Sequence, residues 1–181
     1  NSEFIHGQYQ HGVKVGKWVT KTPFSTVTEN FNRKGENNGA QTEVSAEGIQ
    51  LLHAFYRDDK LHGDYEKRDH SGQLQAKGPY VNGVRHGNWQ AQEEFVYGSV
   101  KLWHGRYEQG VMVGFWQAFS AAGHLLASVQ YDDKGRKQGK LYNFNEDGSL
   151  VSVEEFLDDQ LQGEPRYYYQ GVTRANLFAE D

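Results

Sequence analysis

Three pairs of adjacent aspartates (Asp58-Asp59, Asp132-Asp133 and Asp158-Asp159) and two of glutamates (Glu93-Glu94 and Glu154-Glu155) are the groups here that could move a proton, gather a cation or meet a basic surface. Acid catalysis needs a carboxyl in a desolvated cleft that raises its pKa, and a run of short turns does not build one. A calcium loop needs oxygen ligands at alternating positions, which none of these segments has. Zinc needs three or four convergent ligands. Among the eight histidines only His62 and His86 stand in matching places, each just before a glycine, and no H-E-x-x-H spacing occurs. Nor is there a G-x-S-x-G, a P-loop or a Rossmann fingerprint. The sequence predicts no catalytic residue, no metal and no cofactor. Recognition remains: Asp58, Asp59, Asp132, Asp133, Asp158 and Asp159, with Glu93, Glu94 and Tyr97, could offer an acidic edge to a partner protein. The competing reading is that the aspartates serve turns, which they favour.

The elements that would position these residues are internal repeats. The frame Tyr-x-x-Gly-x-x-x-Gly-x-Trp occurs with identical spacing at Tyr9, Gly12, Gly16, Trp18, at Tyr80, Gly83, Gly87, Trp89, and at Tyr107, Gly110, Gly114, Trp116. Altered copies run Tyr56, Asp59, Gly63, Tyr65 and Phe156, Asp159, Gly163, Pro165, while copies with one extra residue run Phe31, Gly35, Gly39 and Tyr131, Gly135, Gly139. The second glycines, Gly16, Gly39, Gly63, Gly87, Gly114, Gly139 and Gly163, anchor seven units of about 24 residues. A further small residue follows seven positions after most Trp positions, at Ser25, Gly48, Gly72, Gly123 and Gly148. Each unit reads as a β-hairpin plus the turn into the next. Leu125, Ala127, Val129 and Tyr131 alternate with the period of a half-buried strand, and Asn82-Gly83 and Asp147-Gly148 are hairpin dipeptides. No window gives a convincing amphipathic helix.

The predicted fold is all-β: an elongated, curved array of about seven antiparallel hairpins in a single domain over residues 1–181, with residues 165–181 as C-terminal cap and tail. Composition agrees. Leu, Ile, Val and Phe make up about 22% of the 181 residues, close to the roughly 20% below which chains stay disordered. Aromatic residues at 14% must therefore build the core, each ring burying about 150 to 250 Å². The repeat-core positions are Tyr9, Trp18, Tyr56, Tyr65, Tyr80, Trp89, Tyr107, Trp116, Tyr131 and Phe156. Stacking on a peptide or sugar is their alternative use.

A net charge of −5 lacks the basic footprint of a nucleic-acid or anionic-membrane binder. No run approaches the roughly 20 apolar residues of a spanning helix. Absence of cysteine fits a reducing cytoplasm and an oxidising periplasm equally. The residues at the start of the chain also allow a removed upstream signal, so the compartment stays open between the two.

The repeated frame resembles MORN repeats, in the bacterial variant of the YwqK-like family described as toxin-antitoxin repeat antitoxins. The resemblance runs from about Tyr9 to Pro165 and is most specific over Tyr56 to Leu74, Tyr80 to Trp89 and Tyr107 to Leu125. Gln41 and Pro165 depart from it at Trp positions. It implies a hairpin array that associates with another protein, a toxin or effector, without catalysis. A carbohydrate-binding or cell-wall module and a self-assembling scaffold are the alternatives.

Overall fold

The structure, a computed structural model, describes residues 3–94 and 100–169. Among them there is no helix, and the chain is all-β. It divides into two compact units, Asn1–His86 and Gly87–Asp181.

In the first unit the strands are β1 (Phe4–Gln10), β2 (Val13–Lys21), β3 (Ser25–Phe31), β4 (Gly39–Ser45), β5 (Gln50–Arg57), β6 (Lys60–Arg68), β7 (Leu74–Val81) and β8 (Val84–Arg85). Each pairs antiparallel with the next in sequence. In the second unit they are β9 (Gly87–Glu94), β10 (Val100–Glu108), β11 (Val111–Phe119), β12 (Leu125–Tyr131), β13 (Lys137–Phe144), β14 (Leu150–Leu157), β15 (Gln160–Leu161) and β16 (Arg166–Tyr167). Pairing is again between sequence neighbours, except that β15 and β16 both lie along β14. The segment around Phe119 to Leu126 is strand, turn and strand.

Two turn designs account for the glycines and aspartates. In the first, both central residues have positive φ: His11 and Gly12, Asp58 and Asp59, Asn82 and Gly83, Gln109 and Gly110, Asp158 and Asp159, all between 48° and 86°. This is the two-residue turn whose twist matches that of the strands, and Asn, Asp and Gly tolerate it best. In the second, the first residue of five donates its N–H to the carbonyl of the fifth, and a glycine in fourth place donates back. It recurs at Asn32–Glu36, Ser45–Ile49, Asp69–Gln73, Ser120–His124, Asp132–Arg136 and Asn145–Ser149. The extra residue in the copies beginning at Phe31 and Tyr131 is the change from the first design to the second. Asp147-Gly148 also belongs to the second design, since only Gly148 of that pair has positive φ.

The seven anchoring glycines have φ from 67° to 110°, and beside them the ladder register commonly shifts, as between His6 and Gln8 or His104 and Arg106. They act as bulge glycines, and the side chain two residues on, Trp18, Trp89 or Trp116 in the exact copies, is the one that reaches the buried face.

In each unit that face is organised as a row of alternating large and small side chains. Tyr65 is paired with Ala54 on one side and Gly78 on the other. Trp89 is paired with Gly105, and Trp116 with Val129. Trp89, Trp116 and Ala54 are 1%, 2% and 0% exposed. The rings also meet edge to face from one repeat to the next. Tyr65 and Tyr80 have centroids 5.3 Å apart, Trp89 and Tyr107 6.0 Å, and Tyr107 and Trp116 5.0 Å. Such contacts add about 0.5 to 1.5 kcal/mol beyond area burial. Lys14 lies 4.6 Å from the centroid of Trp18 and Lys137 4.9 Å from that of Phe156, each setting a cation over a ring.

The reverse face is more polar. Glu66, next to Tyr65 and so pointing the other way, holds Arg68 at 2.7 Å and Lys77 at 3.0 Å. Lys77 and Arg68 hold its carboxyl below the usual range.

Candidate functional site

The three aspartate pairs sit at hairpin tips, and neighbouring tips bind one another, whereas Glu154 and Glu155 lie within β14. In the first unit Asp59 accepts the backbone N–H of Asn37 at 2.6 Å and returns its own N–H to the Asn37 carbonyl at 3.0 Å. Asp58 accepts the side-chain amides of Asn38 at 3.0 Å and Asn32 at 3.3 Å. The second unit repeats the arrangement. Asp159 accepts the N–H of Lys137 at 2.7 Å and donates to its carbonyl at 3.1 Å, while Asp158 accepts from Gln138. Arg136 bridges Asp132 at 2.7 Å and Asp158 at 2.9 Å. Asp132 and Asp158 are thus brought together, with Asp133 and Asp159 beside them in sequence. A two-residue turn hooks onto the five-residue turn before it, and much of the acidic chemistry is spent on that staple. Glu93 and Glu94 close β9, opposite Lys101 and Val100 in the ladder. Tyr97 and residues 170–181 of the expected cap lie outside the described residues. Of the cap's described part, Arg166 and Tyr167 pair with Val153 and Ser152.

The charges at these tips are held by geometry. Asp132 accepts the N–H groups of Arg136 and Lys134, both at 2.9 Å, and the Arg136 guanidinium at 2.8 Å. The Arg136 N–H is the largest contributor, and its carboxyl falls from about 3.8 to about 2. Asp69 and Asp147 are lowered by the same device, the hydroxyls of Ser71 and Ser149 leading. A depressed carboxylate pKa gives stability that is complete above the unfolded value and lost as pH falls through the folded one. Between pH 4 and pH 2 the melting temperature of the protein should therefore fall more steeply than that of Asp132→Asn. Equal slopes across that window would show that the turn does not hold the charge.

His62 and His86 do not form part of a metal-ligand group: among the described residues no three His, Asp or Glu side chains converge. Nδ1 of His62 instead accepts the N–H of Asn82 at 3.3 Å, another link between hairpin tips. His104 is half-buried, and loss of water pushes its imidazole pKa down.

Of the predicted aromatic positions, Trp18, Trp89 and Trp116 are buried and Tyr56, Tyr65, Tyr80, Tyr107, Tyr131 and Phe156 half-buried, so they serve the interior of the array. Tyr9 is 66% exposed although its ring meets Trp18 edge-on at 4.8 Å. The sequence reading missed the small partners of these rings. A Cβ on Gly7 would stand 2.1 Å from Trp18, and one on Gly105 2.0 Å from Trp116. The signal was present, because Gly7, Gly78 and Gly105 each stand two residues before the frame tyrosine in the three copies that end in Trp. Where the frame ends in Tyr65 that position is Ala54, and where it ends in Leu141 it is Val129. The small residue grows as the large one shrinks.

Also missed was Phe115. It lies mid-strand in β11, next to Trp116 and so on the reverse face, and is 67% exposed. The frame leaves this position free: Lys17, Ala40, Asp64, Asn88, Lys140 and Glu164 fill it in the other units. Its cross-strand neighbour Gln130 is exposed too. No protein-family model matches the chain, and no curated protein matches it.

Proposed function

We propose that the chain is a non-catalytic module that binds another protein. Neutralising a toxin or effector is the role implied by its resemblance to the antitoxin-type MORN repeats. One observation carries the reading. The residues shared by the repeats are occupied with turns and ring packing, while an aromatic side chain at a position the repeat does not use, Phe115, is presented to solvent from the middle of a strand. Large aromatic residues with polar surroundings are the usual anchors of protein interfaces, and the β-ladder holds this one at little cost in entropy.

Calorimetric titration of the chain with the proteins encoded beside its gene tests this. A complex is expected, and Phe115→Asp should weaken it at least about tenfold, or 1.4 kcal/mol, with the melting temperature unchanged. A complex indifferent to Phe115→Asp would remove Phe115 from the interface. The absence of any complex would remove the antitoxin reading.

A further inference from the structure

We propose that Asn38 is a site of spontaneous modification: the backbone nitrogen of Gly39 displaces its side-chain amide, and the carboxylate left behind opens the staple between the Asn32–Glu36 turn and the Asp58-Asp59 turn. The inference does not rest on the toxin-binding reading. An asparagine amide is chemically labile, and most so before glycine, because no Cβ screens the attacking nitrogen. Asn38 and Gly39 form such a pair. Asn38 is exposed to water. Gly39 is the end pair of the β4–β5 ladder, opposite Tyr56, so local opening frees its nitrogen without loss of the strand. The step needs no oxidant or reductant. The Gly39 nitrogen gives up its proton and bonds to Cγ of Asn38, closing a five-membered imide, while the bond from Cγ to Nδ2 breaks and that nitrogen leaves with the proton as ammonia. Water then opens the imide at either carbonyl, leaving an aspartate or an isoaspartate at position 38.

The second unit builds the same staple from less labile parts. Asn32 to Gly39 align one for one with Asp132 to Gly139, so Gln138 stands where Asn38 does. Both amides donate to the first aspartate of the following two-residue turn, Asn38 to Asp58 at 3.0 Å and Gln138 to Asp158. Glutamine is one methylene longer and would have to close a six-membered ring, which is far slower. The two staples also differ in what else holds them. Asp158 is bridged by Arg136 at 2.9 Å. In the first unit Glu36 takes the place of Arg136, and the other donor to Asp58 is the amide of Asn32 at 3.3 Å, which also serves Glu36 at 2.7 Å. A carboxylate at position 38 therefore removes the shorter of the two hydrogen bonds to Asp58 and sets a like charge against it, where the second unit has a guanidinium. The other Asn-Gly pair of the sequence, Asn82-Gly83, is shielded: the Gly83 N–H donates to the carbonyl of Leu61 at 2.7 Å, tying the nitrogen that would attack to a neighbouring strand.

The full 181-residue chain, kept folded at mildly alkaline pH and sampled by peptide mapping with mass spectrometry, should exchange NH2 for OH at position 38, with isoaspartate as well as aspartate among the products, while Asn82 and Gln138 stay intact. Asn38→Gln should block the change and keep the melting temperature of the fresh protein. Asn38→Asp should lower that temperature by about 2 to 4 °C. Joining Asn38→Asp to Asp58→Asn, which exchanges donor and acceptor across the staple, should restore it. An Asn38 that survives while Asn82 converts, or that converts only once the chain is unfolded in urea, would overturn the site. An Asn38→Asp variant as stable as the wild type, or one that Asp58→Asn does not rescue, would overturn the opening of the staple.

Discussion

Replacing Gly105 by alanine should destabilise the protein by about 3 kcal/mol, the upper end of what overpacking costs. The added methyl carbon would lie 2.0 Å from Cδ2 of Trp116 and 2.2 Å from Cε2. An indole that is 2% exposed must then leave its place and its edge-on contact with Tyr107. Gly105 is not among the residues with positive φ, so alanine brings no backbone strain and the collision alone sets the cost. Urea denaturation measures it, and a loss below about 1 kcal/mol would mean that the ring has room to move. The repeats also indicate the remedy. Ala54 paired with Tyr65 is the same junction built one size down. At the first junction, where Gly7 lies against Trp18, Gly7→Ala combined with Trp18→Tyr should cost less than the sum of the single changes by about 1 kcal/mol in a double-mutant cycle. Additive losses would show that these partners are not matched in size.

The fold was legible because its period is short and its turns have strong chemistry. A hairpin tip with two positive φ angles accepts few residue types, so His11-Gly12, Asn82-Gly83 and Asp158-Asp159 mark their places in the sequence as they do in space. The large member of each row was legible for the same reason, since Trp recurs after a bulge glycine at fixed spacing. The small member was harder to see. Gly7 and Gly105 have open backbone geometry, and only the distance to a ring on the adjacent strand shows that they must lack a side chain. The tip staples escaped a linear reading because Asp59 and Asn37 are 22 residues apart, as are Asp159 and Lys137. Register, not local preference, brings them together. The division of the chain at Gly87 was not legible either, because that glycine is an ordinary anchor of the frame. Phe115 was overlooked because attention to a repeat selects residues that recur, and surface chemistry belongs to those that do not.

Trp116→Ala should cost about 4 kcal/mol, within the 3 to 5 seen when a buried Trp or Phe is truncated, whereas Phe115→Ala, one residue away, should change stability by no more than about 0.5 kcal/mol. The two side chains are similar in size and share a strand, but they leave it on opposite faces. Trp116 is 2% exposed between the positions of Gly105 and Val129, and Phe115 is 67% exposed. In a repeat array a lost side chain is felt chiefly by its immediate neighbours. Amide exchange in Trp116→Ala should therefore accelerate first in β10, β11 and β12. The comparison separates the two uses of aromatic residues in this chain. If Phe115→Ala proved as damaging as Trp116→Ala, the reverse face would be part of the core, and the surface assigned to a partner would have to lie elsewhere. If it is silent in denaturation yet weakens the complex, the same ladder that buries one ring serves to display the other.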